Sequence, residues 1–278
     1  MKMIGEACML IDALQGGFDF KAFMIRTLLS ILPFLLALSV HEAAHAWMAN
    51  RCGDPTAKYL GRLTINPIAH IDPIGFLMLF IVGFGWAKPV PVNPNNFRNY
   101  RKDDIKVSLA GITANLLMFV AGCLLMYGMV ALALSKVPAS AWMNGAFGVQ
   151  VSGEWYGIDT SAAFLYAASM GEYLIGPYLG TIASYLFQMI VIFTTTNMVL
   201  AVFNLIPVPP LDGYHVFNDL ILRRQLFAPQ KAAMIGQIVL VVLIFSGALD
   251  KVLNGAISGA LYGAGTVFEA LFRLLHVV

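Results

Sequence analysis

An uncharged, strongly apolar run from Thr27 to Val40 leads without a break into His41-Glu42-Ala43-Ala44-His45. No other feature constrains the chain as tightly. A helix needs about 20 apolar residues to cross a bilayer, and an ionisable group at that depth costs roughly 3 kcal/mol unless it is put to use. Residues four apart on a helix stand one turn apart on the same face, so His41 and His45 can grip one metal ion between two imidazoles. Glu42 is the residue type that takes a proton from water beside such an ion. The competing reading, two core histidines satisfied by backbone carbonyls and a glutamate facing water, suits a soluble helix better than this one.

Composition decides between water and lipid. Only 12% of the 278 residues are charged and 59% are hydrophobic, where a soluble domain carries about 25% charge. The chain therefore reads as an all-α integral membrane protein, a polytopic helical bundle. A net charge of +2 is too small to point to nucleic acid. Cys8, Cys52 and Cys123 show no CxxC spacing, which suggests neither a disulfide framework nor a zinc ribbon. Glu6, Asp12 and Asp19 interrupt the N-terminal apolar patches. That is unlike a cleavable signal peptide, so residues 1–22 are expected to form an interfacial segment.

Spans are expected at about 23–50, 105–134, 173–203 and 232–249. Arg51-Cys52-Gly53-Asp54-Pro55 stops the first. Residues 57–66 alternate apolar and polar, predicting a short membrane-surface strand or hairpin whose edge can hold an extended substrate. The apolar run up to Trp86 is shorter than a span and flanked by proline, so a re-entrant or interfacial segment is expected. Arg98, Arg101, Lys102 and Lys106 mark one cytoplasmic loop, and Arg223, Arg224 and Lys231 another. Glu154, Asp159 and Glu172 place residues 136–172 on the opposite side, in a stretch too short for an inserted domain. Lys21 and Arg26 run against this orientation. Gly255, Gly259 and Gly263 form a small-residue face suited to close helix packing, against a second copy or, the favoured reading, within the chain. The expected divisions are 1–22, a core over 23–225, and C-terminal transmembrane and packing helices over 226–278.

A catalytic zinc takes three protein ligands and keeps one position open. Asp212 is the best third ligand. It follows Pro207, Pro209 and Pro210, which must break the third span, and such a break at membrane depth belongs beside protein or a polar cavity. Zinc, Asp212 and Glu42 with two neutral imidazoles sum to a nearly uncharged cluster. His215, one turn beyond Asp212, is placed behind the ligands at most, since three ligands and water complete the ion. His70 is a fourth ligand, a substrate contact, a gate, or a loop histidine bonded to backbone.

His41-Glu42-Ala43-Ala44-His45 together with Asn204…Pro207…Leu211-Asp212-Gly213 resembles the site-2 protease family, peptidase M50. The stretches Gly61–Pro67, His70–Gly75 and Gly85–Pro94 resemble its compact branch, without PDZ or CBS domains, and the resemblance covers about residues 25 to 225. It implies one catalytic Zn2+ on His41, His45 and Asp212, with Glu42 as general base and acid. Asn115 matches the family's glycine-and-asparagine motif, which implies a part in positioning the substrate or its oxyanion. Ile112 stands where that motif often has proline.

The expected function is hydrolysis of transmembrane protein substrates within or near the bilayer of a prokaryotic inner membrane, with the site toward the cytoplasm. Its partners are then the substrate and the lipid bilayer, without nucleic acid; homo-oligomerisation is possible but unsupported. A metal transporter would show inverted repeats or several polar spans, and a silent scaffold on a structural zinc would have no use for Glu42.

Overall fold

The computed structural model describes residues 20–82, 86–137, 142–143, 146–151, 154–159, 167–222 and 229–274, most of them helical. Helix α1 spans Phe20–Cys52 and continues through Pro33. Gly53, at φ +108°, turns the chain out of it; a Cβ there would stand 2.9 Å from the Asn96 carbonyl oxygen. Three further short helical pieces follow: α2 (Thr56–Tyr59), a 3-10 turn (Pro67–Ala69) and α3 (Pro73–Val82). Ten residues rise about 15 Å, half of an apolar bilayer core, so α3 cannot cross.

Helix α4 (Tyr100–Leu134) starts on a reciprocal cap: the Asn99 side chain accepts the Lys102 amide at 3.2 Å, and Asp103 accepts the Asn99 amide at 2.8 Å. Helices α5 (Ala167–Leu179) and α6 (Thr181–Asn204) are separated by Gly180 at φ +90°. The third apolar span therefore begins at Thr181 and not at residue 173. Helices α7 (Asp212–Phe217), α8 (Pro229–Phe245) and α9 (Ala248–Leu274) complete the chain. Among the described residues three helices, Thr27–Cys52, Tyr100–Leu134 and Thr181–Asn204, are long and apolar enough to cross a membrane. A fourth exists only if α8 and α9, bent at Gly247, count as one span.

The hairpin expected at residues 57–66 is not there. Thr56 starts a helix with its amide and hydroxyl on the Asp54 carboxylate. Gly61 ends it at φ +68°, with Gly61 N–H donating to the Lys58 carbonyl and Arg62 N–H to the Ala57 carbonyl. That pair of bonds is a glycine C-terminal cap, which alternation alone could not reveal. Strands lie elsewhere, in an antiparallel sheet ordered β1 (Trp142–Met143), β2 (Ala146–Val151) and β3 (Glu154–Asp159), with Phe147 opposite Ile158. Of the expected interfacial segment, residues 1–19 lie outside the described residues, and α1 already covers 20–22.

The chain divides into two compact units, Met1–Met118 with Thr196–Ala256 and Phe119–Thr195 with Ile257–Val278. In the second, buried Tyr127 donates its hydroxyl to the Leu261 carbonyl at 2.8 Å and stacks on Phe268. Among the described residues, the glycine face of α9 packs against nothing: a Cβ at Gly255, Gly259 or Gly263 would meet nothing within 4 Å. Leu249, Leu253 and Ile257 are buried apolar residues of that helix.

In the first unit an extended segment from Trp86 is tied down by side chains of the preceding elements. Ala87 bridges Ile71, and Lys88 N–H donates to the His70 carbonyl at 2.9 Å. Arg62 donates to the carbonyls of Lys88 and Pro89. Asp54, fully buried, accepts the Asn93 amide at 2.7 Å and Asn96 Nδ2 at 2.8 Å besides Thr56. Burial by itself would raise its pKa, but the bonds from Thr56, Asn93 and Asn96 outweigh that and hold the carboxyl below its ordinary value. A depressed folded-state pKa contributes stability that is present above about pH 4 and lost as pH falls further. Asp54→Ala is expected to cost about 2 kcal/mol, and Asp54→Asn to flatten the loss of thermal midpoint below pH 4, both read by thermal unfolding in detergent.

Candidate metal centre

His41 and His45 are only 6% and 7% exposed on α1, and each ring is aimed by a partner from α4. His45 Nδ1 lies 2.8 Å from the Val107 carbonyl oxygen. His41 Nδ1 lies 2.6 Å from Asn115 Oδ1, whose own amide is set by donating to Asn197 Oδ1 at 3.0 Å. Oxygens of this kind only accept, so both imidazoles donate from Nδ1, and as neutral rings they present a bare Nε2. The two Nε2 atoms face each other at 3.0 Å.

Asp212 completes the convergence. Its Oδ2 lies 3.4 Å from His41 Nε2 and 3.2 Å from His45 Nε2, is buried, and has no hydrogen-bond donor. The prolines after Asn204 end α6, and the chain returns as α7 with Asp212 at its first position. Gly213 permits the return: a Cβ there would stand 2.5 Å from the Leu205 carbonyl carbon.

With both rings neutral, three lone pairs point at one another, an arrangement that is repulsive unless a cation lies between. Ligand atoms about 2.1 Å from a tetrahedral ion stand about 3.4 Å from one another, close to the separations found here. The donor set, two imidazoles and one carboxylate, suits a divalent transition metal. Among the described residues this is the group of three whose ligand atoms fit one ion. Glu42, next to His41, accepts the Val90 amide on Oε2 at 2.9 Å and stays outside the trio.

The profile of peptidase family M50 matches residues 29–247, a range that contains the entire trio. The chain belongs to peptidase family M50. "Putative zinc metalloprotease YwhC" of Bacillus subtilis is 33% identical over 252 residues, covering 89% of this chain and 96% of that protein. "Putative zinc metalloprotease Rip2" of Mycolicibacterium smegmatis is 26% identical over 229 residues, covering 81% of this chain and 69% of that protein. No solved structure matches.

In this M50 chain, Asn115 is 1% exposed and spends its side chain on His41 and Asn197. His70 stays outside the trio; it is buried, with Nε2 donating to the Thr64 carbonyl at 2.7 Å. His215 also stays outside, with Nδ1 donating to Asp104 Oδ2 at 3.0 Å. Sequence reasoning missed Val107, Asn197, Val90 and Asp104. Only Asn197 carried a signal, as a polar residue in the apolar run that became α6. Val90 and Val107 act through the backbone, which side-chain identity does not report.

Gly111 sets how closely α4 approaches the rings. A Cβ there would lie 2.6 Å from His41 Cε1 and 2.7 Å from His45 Cε1. Gly111→Ala is expected to lower divalent-metal affinity at least about tenfold with unchanged helix content, measured by chelator competition and circular dichroism.

Proposed function

We propose that this M50 peptidase is an intramembrane zinc metalloprotease of the site-2 type that cuts transmembrane protein substrates within or next to the bilayer. The observation that carries the reading is the convergence of His41 Nε2, His45 Nε2 and Asp212 Oδ2, beside Glu42, with both histidines on a helix long and apolar enough to cross a membrane. His41, His45 and Asp212 hold the zinc. When bound, zinc supplies Lewis-acid chemistry, lowering the pKa of a water molecule and polarising a carbonyl oxygen.

The chain's own residues do the rest. Glu42 takes the proton from the attacking water and delivers it to the leaving amide nitrogen, the general base and acid role. The Val90 amide fixes one of its oxygens, so the carboxylate is aimed without losing its second oxygen. Val107 and Asn115 hold both imidazoles in the tautomer that leaves Nε2 free, making Asn115 a positioning residue. The acidic ligand and Glu42 offset the ion's charge, which keeps the loaded cluster tolerable in an apolar setting.

A helical substrate has its carbonyls hydrogen-bonded within its own backbone. Substrates with helix-weakening residues near the scissile bond are therefore favoured. Loop basicity supports a site facing the cytoplasm, and the reading assigns the chain to a prokaryotic inner membrane. Partners are the substrate and the bilayer; nucleic acid has no part in the reading.

The test is metal analysis of the detergent-purified chain together with cleavage of a transmembrane substrate. Wild type is expected to hold about one zinc and cut; Glu42→Gln to keep zinc with cleavage reduced at least about a thousandfold; and Asp212→Ala to lose zinc. Equal zinc in all three proteins with no cleavage by any would reject the reading.

A further inference from the structure

Helix α7 is six residues long and is joined to α6 through a proline-broken turn. So short a helix cannot hold its own orientation, yet Asp212 must stand within 3.4 Å of two nitrogens on α1. Something outside α7 has to fix its rotation. His215, three residues after Asp212, lies on the same face one turn on, and its Nδ1 donates to Asp104 Oδ2 at 3.0 Å. Asp104 is 7% exposed near the start of α4.

The position of Asp104 on α4 gives that bond its meaning. Asp104, Val107, Gly111 and Asn115 are spaced three, four and four residues apart, so they form one row along one face of the helix. From that row Val107 aims His45, Gly111 admits both rings, and Asn115 aims His41. Asp104 is the remaining member, and it reaches the segment that carries the remaining ligand.

The surroundings make the contact costly to lose. Asn218 and Asp219, in the π-helical turn after α7, are 7% and 8% exposed. Asn218 Nδ2 donates to Asp219 Oδ1 at 3.1 Å, while Asn218 Oδ1 and Asp219 Oδ2 are buried without a donor among the described residues. His215, whose side chain is about half exposed, brings a donor to the edge of a cluster that is rich in acceptors. Without it, Asp104 loses its donor from α7, and the tie between the start of α4 and the end of α7 is lost.

We propose that Asp104 and His215 are positioning residues for Asp212, so that a single face of α4 sets the spacing of all three metal ligands. His215 acts through the Asp104 contact and is not itself a ligand. The inference rests on the zinc-protease reading above.

The test measures zinc affinity of the full chain in detergent by chelator competition, with the thermal midpoint of the metal-free protein as a second readout. His215→Asn keeps a donor at the place of Nδ1, whereas His215→Gln keeps bulk and moves the donor to the place of Nε2. Asp104→Ala and His215→Gln are each expected to weaken zinc binding about ten- to a hundredfold. His215→Asn should stay within about threefold of wild type, and the Asp104→Ala/His215→Gln double variant should be no weaker than the weaker single, as residues acting through one contact require. The metal-free midpoints of the Asn and Gln variants should be alike, which separates ligand placement from general destabilisation. Equal zinc affinity of the Asn and Gln variants, or additive losses in the double, would overturn the inference while leaving the protease reading intact. Wild type that binds no zinc would overturn both, and the Glu42 and Asp212 variants above identify that case independently.

Discussion

Three hydrogen-bond acceptors, His41 Nε2, His45 Nε2 and Asp212 Oδ2, face one another across 3.0 to 3.4 Å in surroundings that offer them no donor. Every other feature of the first unit follows from keeping them there. Left free, each imidazole would turn its N–H toward the carboxylate and the site would become an ordinary hydrogen-bonded cluster. Val107 and Asn115 prevent this by claiming the Nδ1 protons, and Asn197 prevents the Asn115 amide from flipping. The repulsion that remains is what a bound cation relieves.

Close approach is the second requirement, and small residues meet it. Gly111 lets α4 lie against both rings, and Gly213 lets the chain fold back on itself after the prolines. A methyl group at either place would meet atoms at well under van der Waals separation. The glycines on α9, by contrast, meet nothing within 4 Å among the described residues.

The segment from Trp86 to Asn99 braces the site from the other side. It forms one isolated bridge and a backbone bond from Arg98 N–H to the Cys52 carbonyl, and side chains hold the rest: Arg62 on its carbonyls, Asp54 on the Asn93 amide and Asn96, and Glu42 on the Val90 amide. Extended backbone rich in proline has few amides to pair with a sheet. Charged side chains supply those partners, and one of them is the proposed catalytic base.

Much of this was legible in the sequence because it is local. The four-residue spacing of His41 and His45 puts them on one helical face whatever surrounds them, uncharged runs of span length limit the elements available, and three prolines in four residues force the break that precedes Asp212. The misreadings were also local in origin. Residues 57–66 alternate like a strand, but Asp54 and Gly61 start and stop a helix there, and Gly180 shortens the third span. What only the tertiary structure decided is which nitrogen of each histidine is free, which face of α4 sees them, and that Asp104 meets His215 across more than a hundred residues of chain. Those depend on distances between segments remote in sequence and on backbone groups such as the Val107 carbonyl and the Val90 amide, which every residue type possesses and no sequence pattern can single out.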